Sequence, residues 1–244
     1  GFTGSFNSKD FGINWEKCDI GFVPEKCFTP SSGNHILYCS EKESISVFSH
    51  DWNLIGESYG FPHPWHGSWS ISESSDGTIM WGEYAYADDN LAVFRSSNDG
   101  LDWEKVLTIS GGGEDPHGGK IRHFHTCLSY PDTPGRWLLS SGDTDSQCRM
   151  WETSDNGSNW SEISFEEDKI ISSKSTRIVT PKLWRRTAER YSGDYIIYPT
   201  DDNHQKTGSR LVRMDRGNPQ VAEIIGHLGP NEIRNFVEID KGYF

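Results

Sequence analysis

The apolar residues of this chain fall in short stretches rather than in long runs. Residues 91–95 (Leu-Ala-Val-Phe-Arg) and 148–152 (Cys-Arg-Met-Trp-Glu) are two of them. Between such stretches lie Gly, Asn, Asp, Ser and Pro, which favour tight turns, and helix formers occur in no long run. Short apolar stretches bounded by turn residues are typical of β-strands. The pattern therefore predicts an all-β chain of many short strands.

Three segments of the chain match one another in register: residues 8–15, 96–103 and 153–160. They share the pattern Ser/Thr-x-Asp/Asn-x-Gly-x-x-Trp. In such a turn the hydroxyl and the Asp or Asn side chain accept hydrogen bonds from backbone N–H groups, and the Gly adopts a positive φ. The Trp then begins the next strand and packs beneath the turn. The repeat predicts one kind of turn used several times.

This turn resembles the Asp box of the sialidase-like (BNR-repeat) β-propellers, although Asn98 stands where the second copy would carry Asp. The resemblance implies a propeller whose boxes are folding devices and not catalytic groups. We therefore expect Trp15, Trp103 and Trp160, which end the three copies, to be buried structural residues.

The copies divide residues 1–244 into a single propeller domain of four-stranded antiparallel blades, with strands A to D running outward from the axis. Blade one is an end piece with predicted strands at residues 4–7 and 14–19, and blade two has strands at 26–29, 35–40, 44–48 and 54–58. Blade three has strands at 67–72, 78–84, 91–95 and 102–109, and blade four at 123–129, 136–141, 148–152 and 159–163. Blade five has strands at 177–184, 194–199, 209–214 and 222–226, and residues 232–244 are predicted to be the first strand of a sixth blade. About five to six blades are present. We expect the domain to be truncated at both ends and to belong to a ring of six or seven blades, because the sequence stops inside an apolar strand.

The charge and composition of the chain limit the kinds of partner that it is expected to bind. A formal net charge of −13 argues against nucleic acid, since an acidic surface repels polyanions on average. No apolar run approaches the roughly 20 residues of a membrane-spanning helix, so no membrane partner is expected. No signal peptide is visible, but we expect a secreted or extracellular protein. Five cysteines at irregular spacing form no disulfide framework, and the redox state of Cys127 and Cys148 stays open.

The predicted topology places the candidate site. The loops that lead into strand A and those that follow strand B lie on one face, opposite the boxes, and propellers commonly bind ligands there, over the axis. Most of the histidines fall on that face, whereas Arg185 and Arg186 are expected to be solvated in a loop. The candidate residues on this face are His63, Trp65, His66, Tyr84, Tyr86, Arg122, His123, His125, Asp143, Asp145, Arg177, His204 and Arg234.

A site for an acidic glycan explains this set. Aromatic rings stack on sugars, and arginine pairs with carboxylates. We predict an enzyme that cleaves an acidic polysaccharide by β-elimination at a uronate, in an arrangement similar to that of propeller polysaccharide lyases such as the ulvan lyases. The predicted catalytic residues are His123 or His125 as base, Arg177 on the substrate carboxylate, and Tyr84 or Tyr86 as acid. The predicted substrate-binding residues are His63, Trp65, His66, Arg122, Asp143, Asp145, His204 and Arg234.

Three alternatives stay open. A sialidase-type hydrolase could hold the carboxylate of a sialylated glycan with Arg122, Arg177 and Arg234, although the Arg-Ile-Pro motif of that family is absent. The chain could instead be a non-catalytic propeller that binds a glycan or a protein. Finally, His123-x-His125 could be half of a metal site. No third His or Cys stands at a fixed spacing, so no metal ligands are assigned and a divalent cation stays open.

Overall fold

The computed structural model describes residues 5–7, 13–18, 20–65, 67, 70–85, 90–109, 121–172, 181–201 and 208–229. These residues form nineteen β-strands and three short 3₁₀ helices, with no α-helix among them. In the described ranges, no helix is long and apolar enough to cross a bilayer. The strands pair into five sheets, which we call blades one to five in chain order. The strand predicted at residues 232–244 lies outside the described residues.

Blades one to four follow the predicted strand order closely. The first is a hairpin, and the next three are four-stranded antiparallel sheets whose neighbours are consecutive in the chain. Blade one contains β1 (Ser5–Asn7) and β2 (Glu16–Cys18); blade two contains β3 (Lys26–Phe28), β4 (His35–Cys39), the 3₁₀ helix Ser40–Lys42, β5 (Ser44–Phe48) and β6 (Leu54–Tyr59). Blade three contains β7 (Ile71–Glu73), β8 (Ile79–Gly82), β9 (Leu91–Ser96) and β10 (Glu104–Ile109); blade four contains β11 (Phe124–Ser129), β12 (Trp137–Ser141), β13 (Met150–Thr153) and β14 (Ser161–Ile163). The prediction of an all-β fold built from four-stranded blades is confirmed.

Blade five has an additional strand. Its order is β15-β19-β18-β17-β16, and β15 pairs in parallel with β19 while the other pairs are antiparallel. Its elements are the 3₁₀ helix Glu167–Lys169, β15 (Ile170–Ser172), the 3₁₀ helix Pro181–Trp184, β16 (Arg190–Ser192), β17 (Tyr195–Pro199), β18 (Ser209–Asp215) and β19 (Ala222–Gly229).

The inner strand predicted for blade five at residues 177–184 is wrong in its second half, and residues 177–180 lie outside the described ranges. Its second half forms a 3₁₀ helix that begins at Pro181, where a fixed φ and a missing N–H are tolerated. Leu183 and Trp184 are buried in this helix, and their apolar character imitates a strand. The actual inner strand, β16, is only Arg-Tyr-Ser, so no apolar alternation reveals it.

The core consists of layers between neighbouring blades. One layer joins blades two and three, with Ile36 and Ile45 on one side and Trp81 and Phe94 on the other. Further layers join blades three and four and blades four and five. Because each middle blade packs on both sides, β5 and β12 are buried at every position. The outer strand β6 is largely exposed.

The two described copies of the repeated turn have the same hydrogen bonds. The Ser96 hydroxyl accepts from the Gly100 amide at 2.9 Å, and the Asn98 side-chain oxygen accepts from the Asp102 amide at 3.0 Å. In the next blade, the Thr153 hydroxyl accepts from Gly157 at 3.1 Å and Asp155 accepts from Asn159 at 2.9 Å. Both glycines have positive φ, 84° and 81°.

Each of these glycines also lies against the preceding blade. A Cβ at Gly100 would come within 2.7 Å of Ile36 Cδ1, and one at Gly157 would come within 3.0 Å of Val106 Cγ2. The turns therefore set the distance between blades as well as reversing the chain.

The tryptophans that end the turns differ from one another. Trp103 and Trp160 are half-buried and pack against the interblade layers, as expected. Trp15 is 61% exposed, so the expectation that it lies in the core is wrong. Residues 8–12, which complete its copy of the turn, lie outside the described ranges.

Replacing Trp103 by Ala should lower the free energy of unfolding by about 3 kcal/mol. Its ring packs edge-on against Trp81, with centroids 6.1 Å apart. Urea denaturation measures the loss, and Trp15→Ala is the matched control, expected to change stability by less than about 0.5 kcal/mol because it is exposed. Equal losses in both variants would contradict the assigned packing.

Asp155 makes the stability of blade four depend on acid pH. Hydrogen bonds from Asn159 and Thr153 lower the pKa of its carboxyl to about 2, whereas an unfolded Asp titrates near ~3.9. The stabilisation is therefore complete above about pH 4 and is lost as the pH falls toward about 2. Asp155→Asn should flatten this part of the profile of unfolding free energy against pH, and Asn98 in the other turn indicates that an amide is accommodated. If urea titrations showed the same slope of unfolding free energy against pH in Asp155→Asn as in the wild type, the role assigned to Asp155 would be contradicted.

Candidate active site

The residues of the candidate site come from loops at one end of the blades. His123 and His125 lie at the start of β11, and Tyr84 follows β8. Asp143 and Asp201 each come two residues after the second strand of their blade, β12 and β17. These are the loops that precede strand A and follow strand B, so the side chains converge on the face opposite the repeated turns.

A bulge in β11 positions His125. In the pairing of β11 with β12, Phe124 lies opposite Ser141 and Thr126 opposite Ser140, which leaves His125 as the additional residue. Bulges redirect side chains in this way and are frequent beside functional sites. The Phe124 ring is buried in the layer between blades three and four, whereas both flanking imidazoles face the site.

The two imidazoles are in direct contact. Their Nε2 atoms lie 3.1 Å apart, and His123 Nδ1 donates to the Ala85 carbonyl at 3.2 Å. A neutral His123 therefore carries its proton on Nδ1 and turns its Nε2 lone pair toward His125. His125 Nδ1 is buried and has no hydrogen-bond partner among the described residues. The Tyr84 ring stacks on His123 with centroids 3.9 Å apart.

Asp143 connects the imidazoles to two arginines. Its Oδ2 lies 3.4 Å from His123 Nε2 and 3.4 Å from Arg122, and its Oδ1 lies 3.9 Å from His125 Nε2 and 3.0 Å from Arg185. Burial acts to raise the pKa of this carboxyl, but hydrogen bonding with both histidines and the charge of Arg185 outweigh burial and hold the pKa well below its usual range. Asp143 is therefore a carboxylate at neutral pH.

Burial lowers the pKa of His125, and the charges of His123 and Arg185 act in the same direction against the opposing effect of Asp143. His125 is therefore neutral near pH 7 and can accept a proton or coordinate a cation through a ring nitrogen. His123, His125 and Asp143 together offer three such atoms.

Arg185 is a member of the site that the sequence did not predict. It bridges Asp143 at 3.0 Å and Asp201 at 2.9 Å, with 17% of its side chain exposed. Arg186, also expected to be solvated, is fully buried and pairs with Glu189 at 2.6 Å. Both expectations are wrong because the chain reaches this face through the 3₁₀ helix and not through a strand. The acidic residues two positions after β12 and β17, Asp143 and Asp201, were the available signal for Arg185.

Trp65 does not have the predicted sugar-stacking role. It is 1% exposed and packs edge-on against Trp81, with ring centroids 5.7 Å apart. The prediction is wrong because the loop that carries Trp65 folds inward over the layer between blades two and three.

The remaining predicted residues are placed as follows. His63 is half-buried in the loop before β7, and the carbonyl of the next residue, Pro64, accepts from the Tyr84 amide at 2.9 Å. Asp145 is exposed and lines a separate cleft of about 600 Å³ with Cys148 and Trp184. Cys127 and Cys148 are both buried and unbridged. His66, Tyr86, Arg177, His204 and Arg234 lie outside the described residues.

Solved structures share this architecture at low sequence identity. One described as a streptogramin B lyase aligns at a TM-score of 0.53 and 11% identity, over 89% of this chain and 60% of that chain. An inactive virginiamycin B lyase from Staphylococcus aureus with quinupristin aligns at a TM-score of 0.52 and 11% identity, over 91% of this chain and 62% of that chain. A GH74 xyloglucanase from Xanthomonas campestris aligns at a TM-score of 0.49 and 14% identity, over 92% of this chain and 36% of that chain. A TM-score this low supports no inference.

The chain spans about three-fifths of the length of the two lyases. No protein-family model and no curated protein matches its sequence. At these identities the alignments establish the fold alone: the chain is a β-propeller.

Proposed function

We propose that this protein is an enzyme that cleaves an acidic polysaccharide by β-elimination beside a uronate carboxylate. One observation carries the proposal: two imidazoles in contact, a tyrosine stacked on one of them and an exposed arginine converge on the propeller face that commonly binds ligands. Elimination requires a base, an acid and a positive charge near the carboxylate.

The imidazoles are the candidates for the base. In the reaction, the proton on the carbon next to the carboxylate passes to a ring nitrogen of His123 or His125. The electron pair that it leaves forms a carbon–carbon double bond as the bond to the 4-linked sugar oxygen breaks. That oxygen takes a proton from the Tyr84 hydroxyl, whose ring stacks on His123.

Arg122 is the candidate for the substrate carboxylate among the described residues. Its side chain is 47% exposed, and its contact with Asp143 is long, 3.4 Å. A carboxylate that pairs with Arg122 would lie beside the imidazoles, and the arginine would stabilise the charge that develops as the proton leaves. Arg177, assigned to this role from the sequence, stays a prediction.

The fold is compatible with this chemistry but does not determine it. Two of the similar structures are named lyases, which supports the proposal only at the level of architecture, because one fold hosts many functions.

A non-catalytic glycan-binding propeller is the second candidate. His123 and His125 are each only 2% exposed, so a ligand would first meet Arg122. A surface of this kind could bind an acidic glycan without cleaving it.

Incubation with uronate-rich and sialylated polysaccharides tests the proposal. An eliminase yields an unsaturated uronate, which is detected by its ultraviolet absorbance. A hydrolase yields reducing ends without that absorbance. His125→Gln should lower the eliminase rate by about 100-fold or more, the range for loss of a general base. Arg122→Met should raise KM and lower kcat, because Arg122 is proposed both to bind the carboxylate and to stabilise the charge that develops as the proton leaves.

His50→Gln is the matched control, because this exposed histidine also stacks on a second imidazole, His35, far along the chain from the site. It should leave the rate unchanged. Reducing ends alone would replace elimination by sialidase-type hydrolysis, and binding without any cleavage would establish the second candidate. A His125→Gln variant that folds and retains full activity would remove His125 as the base, and His123→Gln tests the other imidazole in the same way.

A further inference from the structure

The geometry of the histidine pair matches that of two ligands on one metal ion. Ligand atoms of His123, His125 and Asp143 all lie within 4.8 Å of one another. The two Nε2 atoms are 3.1 Å apart, and Asp143 Oδ2 is 3.4 Å from His123 Nε2. In a tetrahedral zinc site with bonds of about 2.1 Å, neighbouring ligand atoms are separated by about 3.3 to 3.4 Å.

A second contact orients the first ligand. The Ala85 carbonyl holds the proton of His123 on Nδ1, so the Nε2 lone pair is directed into the cluster. Metal-binding histidines usually have such an outer hydrogen bond, which fixes the ring and its tautomer.

The Asp143 carboxylate presents one oxygen to the imidazoles. His123 Nε2 and Asp143 Oδ2 face each other at 3.4 Å, so a cation placed between them would contact both atoms. Arg185 binds the other oxygen, Oδ1, and its charge is also balanced by Asp201 at 2.9 Å. Oδ2 is therefore turned toward the imidazoles, and Arg122 is the cationic side chain that the described residues place near it on the outer side.

We propose that His123 Nε2, His125 Nε2 and an Asp143 oxygen form a binding site for a divalent transition-metal cation. Two imidazoles and one carboxylate favour zinc and its neighbours in the first transition row over Mg²⁺ and Ca²⁺, which prefer all-oxygen ligands. Three protein ligands leave a coordination position for water or for an anionic ligand, as in catalytic rather than structural zinc sites.

The proposed metal site uses the same atoms as the proposed elimination reaction, so the two exclude each other. A coordinated ring nitrogen has no lone pair left to accept a proton. Occupancy by the cation would therefore remove the proposed base and should inhibit elimination. Binding and cleavage are measured separately, so failure of one proposal does not decide the other.

The first test uses the wild-type protein freed of metal with a chelator. Titration with Zn²⁺, followed by calorimetry and by elemental analysis after dialysis, should give one Zn²⁺ per chain, and Mg²⁺ should bind at least about 100-fold more weakly. Replacement by Co²⁺ provides a measurement that needs no variant, because a nitrogen and oxygen ligand set in a low-symmetry site gives intense visible absorption.

The second test identifies the ligands. His123→Gln, His125→Gln and Asp143→Asn should each lower the Zn²⁺ affinity by about 100-fold or more, in variants whose circular dichroism is that of the wild type. His50→Gln, the control for a histidine that stacks on another imidazole, should bind as the wild type does.

Failure of the wild type to retain Zn²⁺ would overturn the proposal, as would a Co²⁺ spectrum identical to that of the hydrated ion. Loss of binding in His50→Gln together with full binding in all three site variants would assign the ion to the His35 and His50 pair and would also overturn it.

Discussion

Face-to-face stacking of the blades is the constraint on which the rest of this structure depends. It buries both faces of the middle strands, so that β5 and β12 have no exposed position. Polar groups at the ends of inner strands must then find partners across the boundary between blades, because a buried polar group without a partner is costly. The candidate site is where these partnerships accumulate between blades three, four and five.

The charges of the site alternate across that boundary. Asp143 of blade four lies between Arg122 and Arg185, and Arg185 reaches on to Asp201 of blade five. Each carboxylate thus has a guanidinium partner, which is the condition for keeping ionised groups in a largely enclosed position. The two imidazoles occupy the remaining side of Asp143, where no further formal charge is needed.

A second ionic pair lies beneath the first and differs in its electrostatics. Arg186 is fully buried and contacts Glu189, the Thr126 hydroxyl and the face of Tyr198. Burial raises the pKa of Glu189 against the opposing charge of Arg186. Two successive arginines therefore serve different purposes, one in the site and the other between blades four and five.

Much of the fold followed from the sequence because its signals are local. The hydroxyl, Asp or Asn, and Gly of the repeated turn act within eight residues, so Ser96 and Thr153 could be placed in equivalent turns before any coordinates were known. His123, His125, Tyr84 and Asp143 were predicted on one face for the same reason, since strand order alone decides which loops share a face.

What the sequence did not reveal depends on contacts between distant segments. The inner strand β16 is too short and polar to show a period, and the apolar Leu183 and Trp184 beside it pack as a 3₁₀ helix. Trp65 lies between two histidines in the sequence but is buried against Trp81. Arg185 became a site residue only because blades four and five bring Asp143 and Asp201 to the same point.

Exposure increases outward through the site, and this order connects binding with chemistry. His123 and His125 are 2% exposed, the side chain of Asp143 is 20% exposed and that of Arg122 is 47% exposed. Among these four described residues, an incoming carboxylate would therefore meet Arg122 first and compete with Asp143 for it. Once Arg122 turned to the substrate, Asp143 Oδ2 would lose this outer contact and keep its contact with His123. Under the proposed reaction, binding of the substrate carboxylate to Arg122 would in this way bring the neighbouring carbon beside the two imidazoles.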